Sequence, residues 1–323
     1  MVQVVKILNY TGTKQSVTIP AGTVTIDMHL WGGGGGGGGS DRAGPGRRGA
    51  AGHYVLKTGY DVTANVGQSL VVGVGGGGGG GTSGGGAPGG ATGKSLTGYS
   101  GGQGGRSGPN PYSGSGGGGG GASVIQIDGT DIAIAGGGAG GAGDGLGSTG
   151  TVGINTNSAT AGTPGTLGEN GANHTGDGAG GGAGGGGADG GRGGNGGSGD
   201  NGGTGGWSGS NLVPAGGTES NGSGATPGGT GDAYYSSGVA VAGQGSRSGN
   251  NGKVVIVFNI EASSKYKVGG EWKDITDIYT KVSGVWKQVT AAYVKVAGEW
   301  KAIFNSGVEF LSTAAGFGDA TGN

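Results

Sequence analysis

An all-β fold with little or no α-helix is the class predicted for this 323-residue chain, and three observations carry it. Apolar residues alternate with period two: Val24, Ile26, Met28 and Leu30 fall on one face of a segment, Thr23, Thr25, Asp27 and His29 on the other. That is the pattern of a half-buried strand. Glycine, at 99 residues, comes in runs (Gly32–Gly39, Gly75–Gly81, Gly116–Gly121) that begin and end where strand-like segments end and begin. Residues 265–304 repeat every 14 residues, each unit reading as strand, glycine turn and tryptophan strand.

In chain order, the turn Pro20-Ala21-Gly22 precedes the alternating strand, which runs into Trp31 and the first glycine run. A strand pair is expected at His53–Thr58 and Ser69–Val74, joined by 62–67. A second is expected at Ala122–Ile127 and Asp131–Ala135, with Asp128-Gly129 as a two-residue hairpin turn. Lys253–Ile260, largely β-branched, closes the region. Residues 1–260 thus read as one β-sandwich with glycine insertions at 32–52, 75–121 and 136–235. Residues 261–305 form a small hairpin-repeat module, and 306–323 a flexible or strapped tail.

Ordering a residue costs about 1–2 kcal/mol, and glycine loses the most freedom. For the glycines here that is on the order of 100–200 kcal/mol, against about 0.5–1.5 kcal/mol net per hydrogen bond. Isolated polyglycine therefore stays disordered. A bundle of extended helices with three residues per turn, anchored at strand ends, breaks even, because bare backbones approach closely enough for every N–H and C=O to find a neighbour. The pure runs are expected to form such a polyglycine II bundle; the diluted stretch 144–235 is balanced between order and disorder. No Gly-X-Y period is expected, and with eight prolines the chain is not collagen.

Composition excludes several function classes. Net charge is −1, charged residues make up 11%, and basic residues cluster only at Arg42, Arg47 and Arg48, so no nucleic-acid footprint is expected. Without cysteine there is no disulfide framework, thiol chemistry or Cys-zinc site. The N-terminal residues lack a signal-peptide pattern, and no apolar run approaches a membrane span. Gly93-Lys94-Ser95 lacks the spacing and strand–loop–helix context of a phosphate loop. Gly197–Gly202 resembles a calcium-roll repeat but lacks its large apolar residue. His29, His53 and His174 lie far apart in sequence, and no triad or carboxylate pair stands out. The expectation is a non-enzyme with no cofactor and no metal.

The order of elements resembles the glycine-rich jelly-roll domain of bacteriophage tail-fibre and adhesin proteins and of anaplastic-lymphoma-kinase-type receptors. The residues concerned are Val24–Trp31 with its glycine run, Gly52-His53-Tyr54-Val55, Val66–Val74 with its run, Ala122-Ser123-Val124-Ile125, Ile132–Gly138 and Asn251–Ile256. The resemblance covers about 1–260 and implies a jelly-roll sandwich carrying a polyglycine bundle. The receptor relatives have disulfides, a signal peptide and a membrane anchor, so the phage side is favoured.

The reading that follows is a virion protein, a tail fibre or adhesin contributing to attachment at a bacterial surface glycan or outer-membrane protein. Its expected companions are other virion proteins and further copies of itself, a homo-trimer being favoured, with no membrane insertion. The alternatives are a head-decoration or collar fibre without a receptor, and a cell-surface or ice-binding polyglycine protein. Aromatics interrupting the glycine tracts (Tyr99, Tyr112, Trp207, Tyr234 and Tyr235) are the candidates for receptor contact, with Pro109-Asn110-Pro111-Tyr112 the most loop-like. In the repeats, Trp272, Trp286 and Trp300, with Tyr279 and Tyr293, are candidates for assembly or interface, because three hairpins alone approach the lower size limit for folding.

Overall fold

The computed structural model describes residues 1–41, 44–155, 167–174 and 176–261, and in the C-terminal part 264–268, 271–275, 278–282, 284–289, 291–296 and 299–305. Arg42 and the tail 306–323 lie outside the described residues, as do the side chains of Trp272, Tyr279, Tyr293 and Trp300. The chain is all-β, 29% strand in antiparallel sheets. The one helical element among the described residues is a single 3-10 turn at Thr63–Asn65.

The strands that lie wholly or mostly in the larger compact unit, Val4–Phe258, fall in two sheets. They are β1 (Val2–Asn9), β2 (Gln15–Thr18), β3 (Thr23–Trp31), β4 (Tyr54–Asp61), β5 (Ser69–Gly73), β6 (Ser123–Ile127), β7 (Thr130–Ala135), β8 (Thr218–Ser220) and β9 (Lys253–Ile260). One sheet has the order β1-β9-β3-β4-β8, the other β2-β5-β6-β7. They meet through β3 and β4 against β6 and β7. Ile26, Met28, Leu30, Leu70, Ile125, Ile256 and Phe258 are fully buried.

Two expectations need correction. The segment 53–58 does not pair with 69–74: β4 pairs with β3 and β8, whereas β5 pairs with β2 and β6. The connection 62–67 crosses between sheets. Val62 is buried on the way, and Gly67, at φ 84°, makes the reversal. β3 is also more than half-buried. His29 and Trp31, on its second face, are covered by the segment 228–240, where Ala240, Val239, Tyr234 and Tyr235 pack with Trp31, Tyr54, Val255 and Val257. The Asp128-Gly129 hairpin forms as expected, with Ile127 opposite Thr130 and positive φ at both turn residues, as the favoured two-residue turn requires.

Asp232 holds that strap down. One of its oxygens accepts from the Tyr54 hydroxyl at 2.5 Å and pairs with His29 Nδ1 at 2.7 Å; the other accepts the Tyr234 N–H at 2.8 Å. Burial alone raises the Asp232 carboxyl, but these donors outweigh it and hold it below the ordinary range. Burial and the neighbouring carboxylate push the Tyr54 phenol upward. Asp232→Ala strands these groups and is expected to cost about 2–4 kcal/mol, read by urea denaturation. It should also open 228–240 to proteolysis before the rest of the chain.

The glycine segments form a hydrogen-bonded array with a period of three residues. In 114–122, Gly116, Gly119 and Ala122 donate to Gly105, Gly102 and Tyr99; Gly117 and Gly120 donate to Gly141 and Gly138; Gly118 and Gly121 donate to Gly79 and Gly76. The carbonyls follow the same rhythm. Gly116 and Gly119 accept from Gly90 and Gly93, Gly117 and Gly120 from Ala183 and Gly186, Gly118 and Gly121 from Gly36 and Gly33. The segment is therefore ringed by neighbouring backbones, and a Cβ at Gly116 would lie 1.8 Å from the Gly181 oxygen. Segments 136–144 and 178–186 are ringed likewise.

Where a segment reaches the edge of the array, side chains replace the missing backbone. Asn251 Oδ1 accepts from Gly77 N–H and Ser248 Oγ from Gly80; Asn170 and Asn173 do the same for Gln103 and Arg106. The described part of 144–235 belongs to this array as far as about residue 211. Its dilution carries a triplet period after all: Asp189, Arg192, Asn195, Ser198, Asn201, Thr204, Trp207 and Ser210 fall every third residue. The expected absence of any such period is corrected on this point.

In the C-terminal unit the repeats are three separate two-stranded hairpins: β10 (Ser264–Val268) with β11 (Glu271–Ile275), β12 (Ile278–Val282) with β13 (Val285–Val289), and β14 (Ala291–Val296) with β15 (Glu299–Asn305). Their registers match: Lys267, Lys281 and Lys295 stand opposite Trp272, Trp286 and Trp300.

Candidate functional site

The array has two unlike ends. At one end the chain enters it from β3, β5 and β7 at residues 32, 75 and 136, and leaves it into β4, β6 and β9 after 53, 122 and 252. At the other end it turns back on itself. Gly39 N–H donates to Ser115, Ser115 to Thr82, Gly114 to Asp144 and Gly180 to Gly114, so these segment ends lie at one level. Just beyond that level lie the turn-back residues 40–41 and 44–46, 82–88, 108–113, 145–149, 176–177, 198–201 and 244–247. Loops far apart in sequence thus form one face, remote from the sheets.

The loops brace one another. Ser83 bridges to Gly114, Gly84 N–H donates to Ser113, and Gly86 N–H donates to Gly108 at 2.6 Å. Ser113 Oγ donates to the Asp177 carbonyl, and Gly147 N–H to the Asp200 carbonyl at 2.7 Å. Beneath them Asp144 is almost fully buried. Its Oδ1 accepts Gly150 N–H at 2.7 Å and faces Arg47 Nε at 3.4 Å, and burial pushes its carboxyl up despite both partners. The outer surface carries Pro109, Pro111, Leu146 and half-buried Tyr112, whose N–H donates to Asn110 Oδ1. An open cleft of about 500 Å³ between Ser40, Pro45, Gln244, Ser246 and Arg247 lies on the same face. Rigid backing with side chains confined to loop tips can present a contact surface; among the described residues no reacting pair is assembled there.

Of the five aromatic candidates, Tyr112 alone is on this face. Tyr99 is corrected to a core residue: it packs with Ala122, Val124 and Ile134, 9% exposed, at the opposite end. Its hydroxyl donates to Asp131 Oδ2, and burial, with that carboxylate, pushes the phenol up to about 12. Tyr234 and Tyr235 are half-buried, packed against the Trp31 cluster. They belong to the strap, Tyr234 lying edge-on to His29 at 4.9 Å and Tyr235 6.2 Å from Trp31. Trp207 is on the array's flank, half-buried, with the Arg192 guanidinium 6.0 Å from its ring. The expectation of an exposed ring at a loop tip failed for Tyr99 because a ring interrupting glycine fills space at an edge as readily as it reaches solvent. Trp286 is 66% exposed, with Lys281 Nζ 5.8 Å from its ring.

The turn-back loops were missed as a set, since nothing in composition marks them. The available signal was positional: each sits midway between two strand ends or two triplet tracts.

Among the described residues no group of His, Asp and Glu could hold a metal ion, and no helix is long and apolar enough to cross a membrane. His53 is fully buried where the array meets the sheets; its Nδ1–H donates to Asn221 Oδ1 at 2.6 Å, and Nε2 has no hydrogen-bond partner among the described residues. Burial holds the imidazole below its ordinary value, so the folded chain keeps it neutral. The unfolded chain takes up a proton near pH 6.5. This contribution to stability is full above that pH and is lost as pH falls through the window beneath it. Melting temperature should fall as pH is lowered below about 6.5, and His53→Gln should flatten that dependence.

No family model matches the chain, and comparison with curated proteins finds no similar sequence.

Proposed function

We propose that the chain is a bacteriophage virion protein, a tail fibre or adhesin that contributes to attachment to a bacterial surface glycan or outer-membrane protein. In this reading the two sheets are a jelly roll and the glycine array is a polyglycine II bundle, its three-residue hydrogen-bond period being that of an extended threefold helix. The observation that carries the reading is the gathering of the turn-back loops on one face, at the end of the array away from the sheets. A backbone lattice holds them at low entropic cost to the contact surface. Copies on one particle convert weak contacts into avidity. No catalysis is assigned.

The C-terminal hairpins are assigned to assembly. A lone two-stranded hairpin is marginal in water, and the middle one exposes Val282, Val285 and Trp286. A homo-trimer, or attachment to one, supplies the missing cover. Trp286→Ala is expected to reduce incorporation into particles while leaving the melt of the 4–258 body unchanged; normal incorporation would refute the assignment.

Gold-labelled antibody on intact particles tests the whole reading by electron microscopy. Label at distal tail or fibre tips is expected. Label spread over the head or collar would replace the adhesin by a decorating fibre.

A further inference from the structure

An open groove of about 440 Å³ runs along the side of the larger unit, away from the turn-back face. Three stretches of chain build it: Asn9 and Tyr10 at the exit of β1, Ser237 and Val239 of the strap, and Asn250 and Asn251 of the last array segment. Each is fixed from behind. The Tyr10 ring lies on the Gly76 backbone, where an added Cβ would come within 2.8 Å of it. Asn250 Nδ2 donates to the Gly238 carbonyl at 2.6 Å, and Asn251 Oδ1 accepts Gly77 N–H at 2.9 Å. These bonds set the orientation of both carboxamides. They leave Asn250 Oδ1 as an acceptor, Asn251 Nδ2 as a donor and the Tyr10 hydroxyl as either, none with a partner among the described residues.

The lining carries no formal charge. A half-exposed ring beside oriented donors and acceptors matches a ligand with a weakly apolar C–H face and a rim of hydroxyl groups. A charged ligand would find no counter-ion, and an apolar one would strand the carboxamides. The volume is at the lower end of small-ligand sites and suits one or two sugar rings.

We propose that this groove is a second binding site, distinct from the turn-back face, and that its ligand is a neutral saccharide of one or two hexose or N-acetylhexosamine units. The proposal stands independently of the adhesin reading, since it requires neither particle nor receptor.

The test is saturation-transfer NMR on the full chain with glucose, galactose, N-acetylglucosamine and their disaccharides, alongside a glycine-asparagine dipeptide as a competing amide ligand. Transfer to at least one neutral sugar is expected. Tyr10→Phe combined with Asn9→Ala should weaken it about tenfold, a loss of the size expected for one or two hydrogen bonds. The two changes leave the ring on Gly76 and the Asn250 and Asn251 braces intact, so folding is preserved, and an unchanged melt checks that. Tyr112→Ala, on the other face, should not alter the signal. No transfer to any sugar, transfer only to the dipeptide, or sugar transfer indifferent to the Tyr10 and Asn9 changes would overturn the proposal.

Discussion

Alanine at Gly117 is expected to unfold the body of the protein. The added methyl would sit 2.3 Å from the Gly36 carbonyl oxygen and 2.7 Å from its carbon. In an ordinary core an extra methylene costs about 1–3 kcal/mol because side chains shift to make room. Here the obstacle is backbone. Gly36 donates to Gly118 and its carbonyl accepts from Gly141, while Gly117 donates to Gly141 and accepts from Ala183. Moving any one segment breaks bonds on several sides at once. A loss above about 4 kcal/mol is therefore expected, seen as a collapse of the urea midpoint or as insoluble protein. Gly231→Ala is the control: nothing lies within 4 Å of its added Cβ, and its φ is not left-handed. That change should stay within about 0.5 kcal/mol. Equal tolerance at both positions would mean that the array does not form in solution.

On the proposed adhesin reading, replacing Pro109-Asn110-Pro111-Tyr112 by Gly-Ser-Gly-Ser should leave the melt nearly unchanged while particle adsorption to host cells falls by about 10- to 100-fold. That is the range when a hot-spot ring is lost and avidity multiplies the deficit. Bonds at the shoulders of this loop, Ser107 Oγ to Gly84, Gly86 N–H to Gly108 and Ser113 Oγ to Asp177, are retained in the exchange. Tyr99→Ala should do the reverse, lowering stability through its core contacts while binding per folded particle is retained. Adsorption that survives the tip exchange would remove the 108–113 loop from the proposed receptor surface.

Much of this was legible in the sequence, for identifiable reasons. The Val24–Leu30 alternation and the Asp128-Gly129 turn are local signals, and both produced the expected elements. Pairing between sheets is not local. Nothing in 53–74 says that the chain changes sheets at Val62, and β1, β2 and β8 went unassigned because their alternation is weak. Among the candidate residues, Tyr112 was recognisable as a loop residue from the prolines around it. The packing of Tyr99, Tyr234 and Tyr235 was not legible, since it depends on Asp131, His29 and Trp31, distant in the chain. The triplet at 189–210 could have been counted, and it would have resolved the order of that tract in advance.

An interior made of peptide groups also changes how stability responds to temperature. The heat capacity of unfolding rises with the apolar surface exposed and falls with the polar surface exposed, and a typical domain reaches about 12–15 cal/mol/K per residue. The ringed segments at 33–39, 116–121 and 178–186 expose almost nothing but amides on unfolding. The body should therefore lie well below that range, with a broad, flat stability curve. The support beneath its loop face would then vary little in stability over a wide span of temperature, a property that a core of leucine and valine does not supply.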